Sequence, residues 1–368
     1  MKQVFEEKRH CCGCGACANI CPVKAIDMQG DEEGFLYPKI DEDACVDCGK
    51  CVEICPFFAE NNYKNTTLPL YYVAKHISEE VLMHSASGGA FTALSDAVLA
   101  EKGVVYGADF DEHFKVVHRR AVNSEERDRL RTSKYVQSDI TYIYASVEED
   151  LRQNKMVLFT GTPCQNAGLK GYVQSKNLEE NLYLCDLLCH SVPSPLIWSE
   201  FLKILTKTYG AIAAINFRSK NMPWSRPNCK KAFYLKTVLG SHHADNRFLR
   251  LFLEEQTIAR PSCEACLFTD EKRTGDITIG DYWGIEKYDA ARYDALGVSL
   301  ILTNTAKGEQ LLQGLAGELR YERRDSKEAL AEQQRLRTAI KFPPQREQFW
   351  LLYQKHGLEY LLEKTESK

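Results

Sequence analysis

From Leu70 onward, short apolar runs of β type alternate with segments in which apolar residues recur at helical spacing. Tyr71–Val73 predicts a strand, Ala90–Ala100 a helix whose Phe91, Leu94 and Val98 share one face before Gly103, and Val104–Ala108 a second strand. The rhythm continues with a strand over Met156–Thr160, a helix from Pro163, a strand at Leu182–Leu184 and a helix over Pro195–Tyr209. Ala211–Arg218, Lys231–Val238, Asp276–Gly280 and Val298–Thr303 are further β segments, and Glu309–Leu315 a helix. From Ser326 to the end the pattern is mostly helical, with amphipathic stretches at Phe349–Tyr353 and Leu358–Leu362 that dock on a partner or, as is commoner, on their own domain. This alternation predicts an α/β (mixed α+β) main domain. Ahead of it the pattern changes: nine cysteines fall between Cys11 and Cys55, and the polar stretch Glu60–Thr67 reads as a linker. A small module therefore ends near Asn65.

The totals narrow the function. Hydrophobic residues make up 44% of 368, enough for a sizeable core. A formal charge of −4 supplies no basic field of the kind that selects nucleic acid or an acidic membrane. Met1–His10 is charged throughout, without the apolar stretch of a signal peptide, and no later run reaches the roughly 18 apolar residues of a membrane span. These features predict a cytoplasmic protein, in which fifteen cysteines point to metal ligation or redox chemistry rather than disulfides.

Spacing decides between those uses. Cys11, Cys14, Cys17 and Cys21-Pro22 form a C-x2-C-x2-C-x3-C-P run, and Cys45, Cys48, Cys51 and Cys55-Pro56 repeat it. Three thiols of each run wrap one 4Fe-4S cubane, and the fourth crosses to the other. The expected ligand sets are Cys11, Cys14 and Cys17 with Cys55, and Cys45, Cys48 and Cys51 with Cys21. Gly13, Gly15, Ala16, Ala18 and Gly49 keep side chains small where backbone amides approach the inorganic sulfides. Zinc knuckles would use four ligands per run without the reciprocal proline. Cys12 sits between ligand positions and is expected to point away as a spare thiol. The module resembles bacterial-type ferredoxins at every ligand position, with a longer segment, Ile26–Glu42, between the runs.

Three motifs in the main domain carry further chemistry. Ser85–Gly89 precedes a helix and leaves amides free for phosphate, or is a plain cap with a tight turn. Thr162 and Pro163 stand as N-cap and first residue of a helix, which puts Cys164 in the first turn, where the helix dipole lowers a thiol pKa. Cys185, Cys189 and the pair Cys263-x2-Cys266 supply further thiols near strand ends.

Together with Ser133–Asp139, Gly161–Gln165, Cys189-His190, Val192–Ser194, Asn216–Arg218, Arg260–Cys263 and Asp276–Asp281 with Trp283-Gly284, these segments resemble the coenzyme F420 hydrogenase/dehydrogenase beta-subunit family, preceded by a two-cluster ferredoxin domain. The resemblance implies four divisions: the ferredoxin-type domain at 1–65, an N-terminal-like region at 66–155, a C-terminal-like region at 156–325, and a helical extension at 326–368. It implies FAD and a third 4Fe-4S cluster held by Cys164, Cys189, Cys263 and Cys266, with Cys185 left as a core thiol. It also implies that Ser85, Ser87, Gly88, Gly89, Lys134, Gln137 and Thr162 lie at the flavin. Ser191 stands where the family commonly has glycine, and Ser219 where it commonly has an acid; neither removes a ligand. His190 is expected to be a structurally hydrogen-bonded histidine rather than a proton donor.

Clusters pass single electrons, whereas a deazaflavin or nicotinamide gives up a hydride, so a protein joining the two needs a flavin. The expected function is an iron–sulfur flavoprotein oxidoreductase linking a hydride carrier, F420-like or NAD(P)H, to one-electron carriers and a redox partner protein. The rivals are an electron-transfer subunit with no substrate of its own and a zinc-stabilised binding protein. No catalytic side chain is singled out.

Overall fold

The computed structural model describes residues 4–59 and 63–366. Of the expected linker, Glu60, Asn61 and Asn62 lie outside the described residues, as do Met1–Gln3 and the last two residues. Among the described residues thirteen strands follow one another: β1 (Ile26–Gly30), β2 (Leu36–Ile40), β3 (Leu70–His76), β4 (Val104–Phe110), β5 (Val116–Ala121), β6 (Val157–Gly161), β7 (Leu182–Leu187), β8 (Ile212–Asn216), β9 (Tyr234–Thr237), β10 (Gly240–His243), β11 (Ile277–Asp281), β12 (Ser299–Thr303) and β13 (Leu319–Arg324).

Eight of them build the main sheet in the order β13-β3-β12-β11-β7-β6-β4-β5. The central run β11-β7-β6-β4 is parallel and the flanking pairs are antiparallel. Every residue of β6 and of β12 is buried, as strands covered on both faces require. Alternation sorts side chains to the two faces. Val104, Tyr106, Val157, Phe159, Leu182 and Leu184 pack beneath the helices 143–152 and 163–174. Val105, Leu158, Cys185, Ile277 and Ile301 pack on the other face with Leu94 and Val98 of helix 90–100. Strands from 66–155 and from 156–325 thus share one sheet. The alternating runs of the sequence correspond to β3, β4, β6, β7, β11 and β12; charged β13, on one edge, and β5, on the other, gave no such run.

A further core joins helix 195–209, the small antiparallel sheet β10-β9-β8 and the C-terminal helical segment 346–366. Phe349, Trp350, Tyr353, Leu358, Leu361 and Leu362 are buried there, so the amphipathic C-terminal stretch packs on its own chain.

In the front module, Ile26–Glu42 contains the hairpin β1-β2. The module seats on the layer of helices 143–152 and 163–174, where Cys12, Cys14, Ala16 and Ile54 join their apolar cluster. Polar contacts fix it: the Tyr144 hydroxyl donates to Cys14 O at 2.7 Å, Asn19 Nδ2 to Thr141 O at 2.9 Å, and Arg346 forms a bidentate ion pair with Glu33. A Cβ on Gly168 would lie 2.7 Å from Cys14 Sγ, so the glycine is what lets the helix meet the first cysteine run.

Candidate cluster and cofactor site

Cys11, Cys14, Cys17 and Cys55 line one cavity, which is the reciprocal set the two runs predict. Cys14 and Cys17 are buried and start at or just before the short helix Ala16–Ile20, which follows Gly15 at φ 74°. The other set lies further out: Cys48 is exposed, Cys45 and Cys51 are half-buried, and Cys21 shares an apolar cluster with Cys51, Met28 and Ile40.

In the main domain, Cys164, Cys189, Cys263 and Cys266 line a second cavity, although they come from three separate segments of the chain. Cys164 stands in the first turn of helix 163–174, whose N-cap Thr162 donates its amide to Gln165 Oε1 at 3.0 Å. Cys189 follows the end of β7, while Cys263 and Cys266 belong to the loop before β11. A buried ion pair anchors that loop: Arg273 Nη2 donates to Asp186 Oδ1 at 2.9 Å and to Leu187 O at 3.0 Å, and its Nη1 donates to Phe268 O at 2.7 Å. Asp186 is satisfied further by Gly275 N and Thr278 Oγ1. Each partner of this pair is hydrogen-bonded, the condition under which a buried pair is tolerated.

Among the described residues, no three His, Cys, Asp or Glu side chains stand close enough to share one metal ion. Four thiols around one cavity are the donor set that a 4Fe-4S cubane takes. Burial pushes the Cys55 thiol up to about 11, Cys263 to about 12 and Cys266 to about 11. Thiols of this kind keep their protons until bound cationic iron displaces them. For Cys164 the helix dipole does not win: the hydrogen bond with Cys12, and then burial, raise its pKa well above the ordinary thiol value.

Cys12 does not point away. It is buried within hydrogen-bonding reach of both Cys14 and Cys164, and it lines the front cavity and the main-domain cavity alike. Cys185 is fully buried against Ile277 and Ile279, a core thiol.

A third, larger cavity of about 560 Å³ opens beside the second, and Cys189, His190 and Ser191 line both. It lies outside the carboxyl ends of parallel β6, β7 and β11, where α/β sheets bind ligands. Of the residues that the resemblance places at a flavin, Ser85, Ser87, Gly89, Lys134 and Thr162 line it. Gly88 and Gln137 do not. Gly88 packs on the sheet, its amide donating to Ser299 Oγ at 3.0 Å, and Gln137 turns to the module, donating to Cys12 O at 2.9 Å. Gly89, at φ 82°, caps helix 90–100 without a side-chain bond, so the helix keeps free amides at the cavity wall; a Cβ there would meet His76 at 2.7 Å.

The sequence offered no signal for two neighbours. His118 is buried, held down to about 4 by desolvation, and bonded to Thr160 O at 2.9 Å and Ser138 Oγ at 3.0 Å. Arg131 leaves its buried Nε unpaired, as His190 leaves Nε2 and Ser191 its Oγ, all on this lining. Burial lowers Lys134 to about 7 and His190 to about 4. Arg218 forms a bidentate pair with Asp281 at 2.9 and 3.0 Å and lies 5.8 Å from the Trp283 ring, which stacks on Trp224. Orphaned donors, free helix amides and a cationic wall suit an anionic cofactor with an aromatic part.

Residues 154–328 match the family model for the C terminus of the coenzyme F420 hydrogenase/dehydrogenase beta subunit, and residues 10–59 match that of the 4Fe-4S dicluster domain. No curated protein matches the chain. A chain of the xenon-derivatized F420-reducing NiFe hydrogenase complex from Methanosarcina barkeri is similar in fold, with a TM-score of 0.50 and 16% identity over 81% of this chain and 91% of that one. These matches agree with the cysteine geometry: residues 154–328 carry the C-terminal domain of coenzyme F420 hydrogenase/dehydrogenase beta subunits, and residues 10–59 ahead of it a 4Fe-4S dicluster domain.

Proposed function

We propose that this iron–sulfur electron-transfer oxidoreductase connects a hydride carrier to one-electron partners through FAD in the large cavity, a third 4Fe-4S cluster at Cys164, Cys189, Cys263 and Cys266, and the two clusters of the front module. The observation that carries the reading is continuity. The large cavity shares Cys189 and His190 with the second cavity, and the second shares Cys12 with the front cavity.

A bound flavin supplies the exchange between hydride and single-electron chemistry. The chain's own residues hold it. The amides at the start of helix 90–100, with Ser85, Ser87 and Gly89, and the cations Arg131 and Lys134 suit the pyrophosphate, while Thr162 lies between this wall and Cys164. His190, uncharged above about pH 4, lines the passage to the second cavity without adding positive charge. The hydride carrier is an F420-like deazaflavin or NAD(P)H, and the partner is a redox protein meeting the exposed Cys48 side of the module.

Anaerobic purification with assay of iron, FAD and zinc tests the proposal. Iron for three cubanes, FAD in stoichiometric amount and bleaching of the flavin by reduced F420 or NAD(P)H are expected. Iron without flavin would replace the enzyme by an electron-carrying subunit; zinc in place of iron would end the reading.

A further inference from the structure

Arg260 stands where the front and main-domain cavities meet, and its charge is unbalanced. The side chain is 1% exposed. Its Nε donates to Cys11 O at 2.9 Å, Nη1 to Gln137 Oε1 at 2.9 Å and Nη2 to Leu36 O at 2.9 Å, all neutral acceptors. Nη2 also reaches Cys11 Sγ at 3.8 Å, and the guanidinium lies 4.3 Å from the Tyr37 ring. No carboxylate pairs with it among the described residues. An isolated buried cation is strongly disfavoured, so the fold keeps one here only against a compensating negative charge. The residues around it were built to admit it: at Gly13, between the first two ligands of the run and at φ 68°, a Cβ would lie 2.8 Å from Nη1.

We propose that Arg260 is the counter-charge of the cluster at Cys11, Cys14, Cys17 and Cys55, and that it raises that cluster's reduction potential without acting on the exposed cluster at Cys45, Cys48, Cys51 and Cys21. This rests on the reading that the cysteine sets hold clusters. A reduced cluster carries one more negative charge than an oxidised one, and a desolvated cation beside a ligand sulfur stabilises the more negative state. Cys48 of the outer set is open to water, which screens any charge near it. Arg260 is a positioning residue that acts through Cys11, and with it in place the inner cluster holds an electron more firmly than it would without the cation.

The test is an EPR-monitored redox titration of the full chain, purified without oxygen, as wild type, Arg260→Met, Arg260→Lys and Gln137→Glu. The outer signal is assigned by its loss in Cys48→Ser and the main-domain signal by its loss in Cys266→Ser. In Arg260→Met the inner cluster's potential is expected to fall while the outer one stays, and Arg260→Lys is expected to retain most of the wild-type value. Gln137→Glu sets a carboxylate against Nη1 with the arginine kept, and lowers the same potential even where Arg260→Met fails to load iron. An inner potential unmoved in Gln137→Glu, with all signals present, would overturn the proposal. Wild-type protein holding only the two front clusters would remove the proposed relay yet leave this titration readable.

Discussion

The two cysteine runs have the same spacing and the same trailing proline, but the fold gives them opposite surroundings. Cys12, Cys14 and Cys17 of the first run are buried, Cys14 against Gly168 and under the Tyr144 hydroxyl, whereas Cys48 of the second is exposed. A repeated motif therefore sets ligand chemistry twice and leaves environment to the packing around it. The inner run is wired into the main domain through Cys12 and Arg260, and the outer run faces solvent, where a partner protein can reach it.

The largest expected effect comes from opposing Cys14→Ala to Cys48→Ala. The inner variant is expected to lose its cluster and to destabilise the whole chain by several kcal/mol, because metal binding and folding are linked and a buried contact goes with it. The outer variant is expected to lose one cluster and leave thermal unfolding of the main domain nearly unchanged. Iron assay and anaerobic circular dichroism read both, and equal losses would erase the contrast. On the inner side, Arg273→Met leaves Asp186 buried without its cation, at a cost of about 3–5 kcal/mol. It is expected to abolish the Cys266-dependent EPR signal and spare the two front ones. Gly168→Val drives a branched side chain toward Cys14 Sγ, an overpacking worth roughly 1–3 kcal/mol, and is expected to lower loading of the inner cluster alone.

The smallest effect belongs to the large cavity. Burial holds Lys134 near 7, with Asp109 raising and Arg129 lowering its pKa, and its Nζ donates to Arg129 O and Arg131 O. Its ammonium is present below that pH and lost above it, so affinity for the proposed FAD is expected to fall as pH rises through about 7. The change is on the order of tenfold, that of one charge-assisted hydrogen bond. Lys134→Met is expected to flatten the profile in a fluorescence titration.

The sequence made the dicluster module with its two cysteine runs, the α/β rhythm and the helix start at Thr162-Pro163 legible, since each is a local spacing tied to local geometry. Helices 90–100 and 195–209 lie where their periodicity put them. The lining roles of Arg131 and His118 were not legible, because a lone arginine or histidine carries no spacing; only the sheet order brings β5 and the loop after helix 124–128 to the cavity. Gln137 sat in a motif and still turned toward the module, where Arg260 and Cys12 offered it partners.

By itself the chain determined the dicluster module at its front, because cubane ligation is written in intervals of two and three residues. Which cluster is buried, where Cys12 and Arg260 stand and which cavities touch were decided only by tertiary structure. Burial, and with it the strength of every charge nearby, depends on residues more than a hundred positions apart meeting in space.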